Sequence, residues 1–296
     1  MAAVLGIGNA TLDIIHLVER YPRENEEVRC HSRFLRRGGN AANTLVVLSQ
    51  LGTACSWAGV LVDNADGRLI GKDLQDHGVD ISRCRLLPDG SMPVSSVLVS
   101  AETGSRTITH YRDLPEYGYE DFAALDLKPF DWLHFEARNV AATRRMLQQV
   151  RASGARVRCS LEIEKPRVGI EGLFAYADVL LFSEAYSIAR GFAEPLALLQ
   201  SLQLQCPQAD LYCTLGSAGA VALHRDGRVY RHPAVPPPRV IDTLGAGDTF
   251  NAGIINGYLA GLDTAAILAR ACQLAGRKCG QYGFEGLASD RQDAYE

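Results

Sequence analysis

The segment Asp242-Thr243-Leu244-Gly245-Ala246-Gly247-Asp248-Thr249-Phe250 places small residues where the apolar pair Val240-Ile241 gives way to a helical pattern. Glycine and alanine cannot block an approach to the backbone. The N–H groups of the first helical turn therefore face outward, and the helix dipole adds partial positive charge. That combination is a cradle for an anion. A carboxylate at Asp248 would repel a phosphate held there unless it serves the chemistry. A base that accepts a hydroxyl proton beside a phosphate cradle is what phosphoryl transfer to an alcohol needs. Helix capping is the other use of an Asp at this place. An isolated Gly-x-Gly-Asp does not separate the two, whereas the whole string is far more specific.

A second segment, Arg37-Gly38-Gly39-Asn40-Ala41-Ala42-Asn43, puts two amides three residues apart, on one face of a first helical turn. With the bare Gly39 backbone beside them, Asn40 and Asn43 can read several hydroxyls. A plain cap would explain Asn40 but not Asn43. Asp13 is placed at the end of the first apolar strand, where open α/β sheets bind ligands; a turn residue is the alternative.

Other motifs fail on spacing. Gly6-Ile7-Gly8 has Thr11 where a dinucleotide fingerprint needs its third glycine. The stretch from Gly67 to Gly71-Lys72-Asp73 is one residue short of a P-loop, and Asp73 replaces the metal-binding hydroxyl, so it reads as an amphipathic helix. There is no His-x-x-x-His pair and no Gly-x-Ser-x-Gly elbow. The 8 cysteines form no Cys-x-x-Cys pair and no zinc-type cluster, which leaves them as small buried hydrophobes in a reducing cytoplasm. Lys plus Arg number 30 against 34 Asp plus Glu, so the net charge of −4 gives no electrostatic case for nucleic acid. No apolar run approaches the roughly 20 residues that span a bilayer, and residues 1–8 do not read as a secretory leader.

The elements that must position these groups alternate. Strands are expected at 4–8, 54–60, 132–135, 157–161, 179–182 and 211–215, with helices at 40–51, 68–77, 141–153, 196–204, 247–260 and 264–279. That order predicts a mainly parallel sheet covered by helices on both faces. Residues 27–37, 94–100 and 107–111 have a different, half-polar texture and predict a small separate sheet, with 102–105 as a hairpin turn. A second hairpin is expected from 220–223 and 229–232, followed by the stiff Pro236-Pro237-Pro238, and a loose polar tail after Gly286.

On these strings the sequence resembles the ribokinase-like (PfkB) carbohydrate kinase family, over residues 4–287. Leu161-Glu162-Ile163-Glu164-Lys165-Pro166-Arg167, Phe135-Glu136-Ala137-Arg138-Asn139, Pro236-Pro237-Pro238-Arg239-Val240 and the string from Cys279 to Gly286 favour its ketohexokinase branch. The resemblance implies one α/β kinase domain over 1–296, a three-layer α/β/α body with a discontinuous β lid from about 14–37 and 92–112. It implies transfer of the γ-phosphoryl of ATP to a primary hydroxyl of a small ketose, fructose to fructose 1-phosphate first. Ribose, a ketopentose, a sugar acid or a nucleoside is the alternative acceptor, and a non-catalytic sugar or nucleotide sensor the alternative class. Mg²⁺, a monovalent cation such as K⁺, and a homodimer clasped through the lid are further expectations.

Carried over residue by residue, Asp248 matches the base and Gly245, Ala246 and Gly247 the anion hole. Asp13, Gly39, Asn40 and Asn43 match the sugar contacts. Arg106 and the loop Gly216-Ser217-Ala218-Gly219 match nucleotide contacts, and Cys279 falls where the family lines the adenine pocket, as a buried structural thiol rather than a reactive one. Two positions depart. Asn25, in Tyr21-Pro22-Arg23-Glu24-Asn25, puts an amide where many ketohexokinases have Asp, still on the sugar side. Ser183-Glu184-Ala185-Tyr186 stands where many family members have Asn-x-x-Glu, so the metal's protein partners are unassigned. Glu162, Glu164 and Lys165 are candidates, with a surface salt bridge as the other reading.

Overall fold

A computed structural model gives the structure and describes residues 1–288. In chain order the strands are β1 (Ala3–Ile7), β2 (Thr11–Val18), β3 (Ser32–Gly38), β4 (Ala54–Ala58), β5 (Val60–Val62), β6 (Val79–Asp80), β7 (Arg85–Leu87), β8 (Val94–Ser100), β9 (Arg106–Tyr111), β10 (Trp132–Phe135), β11 (Arg158–Ile163), β12 (Val179–Phe182), β13 (Asp210–Thr214), β14 (Ala220–Leu223) and β15 (Val229–His232). The helices are α1 (Asn40–Gln50), α2 (Ala65–Asp76), α3 (Tyr119–Ala123), α4 (Val140–Ala152), α5 (Glu184–Ala189), α6 (Pro195–Gln203), α7 (Ala246–Leu259) and α8 (Thr264–Cys279).

Nine strands form one sheet in the order β15-β14-β13-β12-β11-β10-β1-β4-β6. It is parallel from β6 to β13, and the β14–β15 hairpin adds an antiparallel edge. Every residue of β10 and β12 is buried, as strands covered on both faces must be. Helices α1, α7 and α8 pack on one another as one layer, with α3, α4, α5 and α6 in further packed pairs. Five cysteines (Cys55, Cys159, Cys206, Cys213 and Cys272) are buried in the body, while Cys30 is exposed. Among the described residues no helix is long and apolar enough to cross a membrane.

The small sheet has four strands in the order β3-β2-β8-β9. Its hairpin β8–β9 falls where the half-polar texture predicts it. Its fourth strand, β2, corrects the sequence reading: Asp13 does not end the first core strand but lies inside β2, opposite Arg36 on β3 and Ser95 on β8. The chain breaks between β1 and β2 at Gly8-Asn9-Ala10, too short a gap to register as a turn. The strand expected from residue 27 begins only at Ser32. The strand expected at 54–60 is divided at Gly59, where only glycine fits between the Trp57 ring and the Gly8 carbonyl: β4 ends at Ala58 and Val60 opens β5. Helix α2 starts earlier than expected, since Asn64 caps it by accepting from the Gly67 N–H at 2.9 Å. The loose tail expected after Gly286 lies, from residue 289 on, outside the described residues.

Candidate active site

Strand order reverses at β1. Later strands are added on one side (β4, β6) and then on the other (β10 to β13). Parallel sheets of this kind leave a crevice at the carboxyl ends beside such a switch. Asn9 follows β1, Glu136 follows β10, Glu162 is the penultimate residue of β11, Ser183 follows β12 and Thr214 ends β13, and all five line one cleft of about 490 Å³. The small sheet closes its other side with Asp13, Ser95, Arg106 and His110, and the turn into α7 forms its floor.

That turn is open to the cleft. Gly245 takes a φ of 82° as the N-cap of α7, and no side chain caps this helix end. A side chain at Gly245 would run into the Phe284 ring, so only glycine fits. Asp248 therefore does not cap the helix. Its carboxylate turns to α1 and accepts from Asn43 Nδ2 at 2.6 Å. Burial, and next the negative charge of Glu162, push the Asp248 carboxyl well above the ordinary carboxylate range, while the Asn43 hydrogen bond pulls it back. A buried carboxylate with a raised pKa at the mouth of a helix N-terminus can take a proton from a hydroxyl beside an anion.

Helix α1 begins where Gly39 turns with a φ of 110°; a side chain there would strike the Asn9 carbonyl. Asn40, the first helical residue, donates to Glu162 Oε1 at 2.9 Å, so neither asparagine is a simple cap. Asn43 is held from behind. The buried Arg37 donates through Nη1 to Asn43 Oδ1 and through Nε to Asp73 Oδ2 at 2.6 Å. The chain Asp73–Arg37–Asn43–Asp248 thus fixes which amide end faces the base. Asp13, also buried, accepts from Thr11 Oγ1 at 2.9 Å on the opposite wall.

A second acidic pair lies deeper. Glu136 accepts from the Asn9 backbone N–H at 2.8 Å. Burial, with the nearby Glu162 charge, pushes its carboxyl up to about 8. Burial also raises Glu162, to about 7, against its hydrogen bond from Asn40. His134, fully buried behind them, is pushed down to about 4 by burial and is neutral near pH 7.

The remaining expected contacts divide. Arg106 reaches across the cleft from β9 and donates to Thr243 Oγ1 at 3.0 Å. Gly216, Ser217 and Ala218 form an exposed single turn after β13, just beyond Thr214 at the cleft edge. Gly219 needs its φ of 103° because a side chain would strike the His232 carbonyl. Cys279 is not on the cleft wall; it is half-buried at the end of α8, and its carbonyl accepts from the Ile241 N–H at 2.7 Å. Asn25 is exposed on the loop between β2 and β3, with a φ of 61°, and lines no part of the cleft of this chain. Ser183 lies at the cleft, and its hydroxyl caps α5 by accepting from the Tyr186 N–H at 3.0 Å. Sequence reasoning gave no role to Asn9, Arg37, Asp73 or Glu136. Arg37 and Glu136 lie inside the quoted strings; Arg37 meets Asn43 within its own string, but Asp73 is 36 residues from Arg37 and Asn9 is 127 from Glu136.

Residues 1–289 match the model of the pfkB family carbohydrate kinases. The chain belongs to the PfkB family. It is 39% identical to mouse (Mus musculus) ketohexokinase over 292 residues, which covers 96% of this chain and 98% of that protein. It is 27% identical to aminoimidazole riboside kinase of Salmonella typhimurium, over 86% of this chain and 80% of that one. The structure of Arabidopsis thaliana ribokinase complexed with ribose and ATP has the same fold, with a TM-score of 0.78 over 96% of this chain and 94% of that chain at 22% identity. This PfkB protein is an ATP-dependent sugar kinase of ketohexokinase-like sequence.

Proposed function

We propose that the cleft transfers the γ-phosphoryl group of ATP to a primary hydroxyl of a small ketose, and that fructose, yielding fructose 1-phosphate, is the acceptor. The observation that carries this reading is the placement of Asp248: buried, held by Asn43, and set in the first turn of a helix whose N-terminus opens on the cleft. Asp248 takes the proton of the attacking hydroxyl. The backbone around Gly245, Ala246 and Gly247 stabilises the phosphoryl charge, at about 3–4 kcal/mol for a preorganised donor. Asp13, Gly39, Asn40 and Asn43 orient the sugar. Arg106 and the Gly216–Ala218 turn take the nucleotide phosphates. The small sheet acts as a lid that keeps water from competing for ATP.

Among the described residues no group of three or more His, Cys, Asp or Glu is placed to hold a metal. That suits a Mg²⁺ that enters with the nucleotide and keeps water ligands. Glu162, whose Oε2 has no hydrogen-bond partner, and Glu164 are the carboxylates that would face it. The ion supplies charge neutralisation on the phosphates. We place the enzyme in the cytoplasm and read it as a homodimer through the outer face of the small sheet, where Leu35 and Tyr111 are exposed; light scattering checks the dimer.

A panel of ketoses, ribose, sugar acids and nucleosides with ATP, with the phosphate position read by NMR, tests the reading. Fructose-dependent ADP release with phosphate on a primary carbon is expected. Phosphorylation of a nucleoside or ribose with fructose untouched would replace the acceptor. Silence across the whole panel would overturn the catalytic reading and favour a sensor.

A further inference from the structure

Behind the turn into α7 lies a buried cation that the proposed reaction does not use. Lys278, in the last turn of α8, is 0% exposed, an environment lysine almost never occupies unless paired. Its Nζ donates to the Asp242 carbonyl at 3.0 Å, to Asp242 Oδ2 at 3.2 Å and to the Gln281 carbonyl at 3.3 Å. An ammonium has three protons to give, and three oxygens take them. The Phe284 ring centroid lies 5.6 Å from Nζ, and the same ring packs where a Gly245 side chain would be. Asp242 is fixed at its other oxygen, since Oδ1 accepts from the Leu244 N–H at 2.9 Å. One positive charge therefore ties together the end of α8, the loop after it and the first residue of the Asp-Thr-Leu-Gly-Ala-Gly-Asp string.

Two carbonyl oxygens and one carboxylate around a single buried charge are also the donor set of a hard metal cation. The residues do not fit the K⁺ expected from the resemblance, because Nζ already engages those oxygens. We propose that the Lys278 ammonium takes the place of a monovalent cation beside the anion turn, so that this chain holds the turn in position without K⁺. The inference rests on the kinase reading for its link to catalysis, and on the Lys278 cage alone for cation exclusion. Lys278 is a positioning residue: it acts through Asp242 and touches no reacting atom.

The test is a K⁺ titration of the wild-type protein and of Lys278→Met, against Na⁺ and tetramethylammonium. The wild-type rate is expected to change by less than about twofold with K⁺. Lys278→Met is expected to lose about tenfold or more of kcat, the scale of a lost charged hydrogen bond. K⁺ or NH₄⁺, but not tetramethylammonium, should restore part of it. In parallel, K⁺ should raise the Tm of Lys278→Met and leave the wild-type Tm where Na⁺ puts it. A wild-type rate that climbs several-fold with K⁺, or a wild-type Tm raised specifically by K⁺, overturns the inference. Both are read on wild type, so they decide even if the variant fails to fold. Loss of activity in every salt would defeat the kinase reading instead, and the wild-type Tm would then judge the cage on its own.

Discussion

Asn43 Nδ2 donates to Asp248 Oδ2 at 2.6 Å, joining the first turns of two helices 205 residues apart in the chain. The bond holds the base in the cleft and opposes the rise in its pKa that burial causes. It also explains why two asparagines follow the Gly-Gly pair: Asn40 holds Glu162 while Asn43 holds the base.

Asn43→Ala leaves Asp248 buried without that donor, so its carboxyl keeps its proton to higher pH. The acid limb of the kcat profile should move upward by about one pH unit, the scale of one charged hydrogen bond. A full pH–rate profile checks this. An unmoved limb at reduced kcat would make Asn43 a sugar contact only.

Glu136 supplies a stability prediction with a definite sign. Its folded carboxyl titrates at about 8 against an ordinary 4.5. Between those values the unfolded chain has released a proton that the folded protein retains. Folding stability contributed by this group is therefore full below about pH 4.5 and is lost as pH rises through 8. Glu136→Gln, which cannot ionise, should flatten the fall in Tm over that window. Thermal melts in matched buffers decide; parallel curves for variant and wild type would contradict the assignment.

Arg106 stands on the small sheet and donates across the cleft to Thr243. Arg106→Ala should raise KM for ATP by about tenfold, as loss of one phosphate contact implies. Because the side chain is exposed, Tm should not move. Steady-state kinetics at varied ATP and at varied sugar separate the two: a larger effect on the sugar KM would move Arg106 out of the nucleotide site.

Gly245→Ala places a methyl group against the Phe284 ring at a φ of 82°. The strain should cost about 1–3 kcal/mol, and the turn should shift enough to depress kcat as well. Denaturant unfolding and turnover, measured together, check this. Wild-type stability and rate would mean that the ring moves aside freely.

What the sequence made legible was local. Helix starts at Gly39 and Gly245, the β8–β9 hairpin and the core strands all announce themselves within a few residues, by periodicity or by glycine. Asn43 does too, but the charged groups behind it and beside Asp248 do not. Arg37 sits six residues from Asn43, but Asp73 and Glu136 reach the site by pairing across the fold, and no window of neighbouring residues encodes that. Asp13 reads as the end of β1 because only three residues, Gly8-Asn9-Ala10, carry the chain from the large sheet to the small one. Asn25 matches the sugar side only through its motif, and in a single chain its loop stays outside the cleft. Lys278 gave no signal, because a lysine near a helix C-terminus ordinarily serves the dipole from the surface.

The most direct measurement of the central claim is Asp248→Asn, assayed for turnover and, separately, for binding of sugar and nucleotide by calorimetry. The variant keeps the hydrogen-bonding shape of the residue and removes its ability to take a proton. Both ligands should bind within a few-fold of wild type while kcat falls about 100- to 10,000-fold, the span of general-base catalysis. Turnover close to wild type, with binding intact, would contradict the assignment of Asp248 as the base.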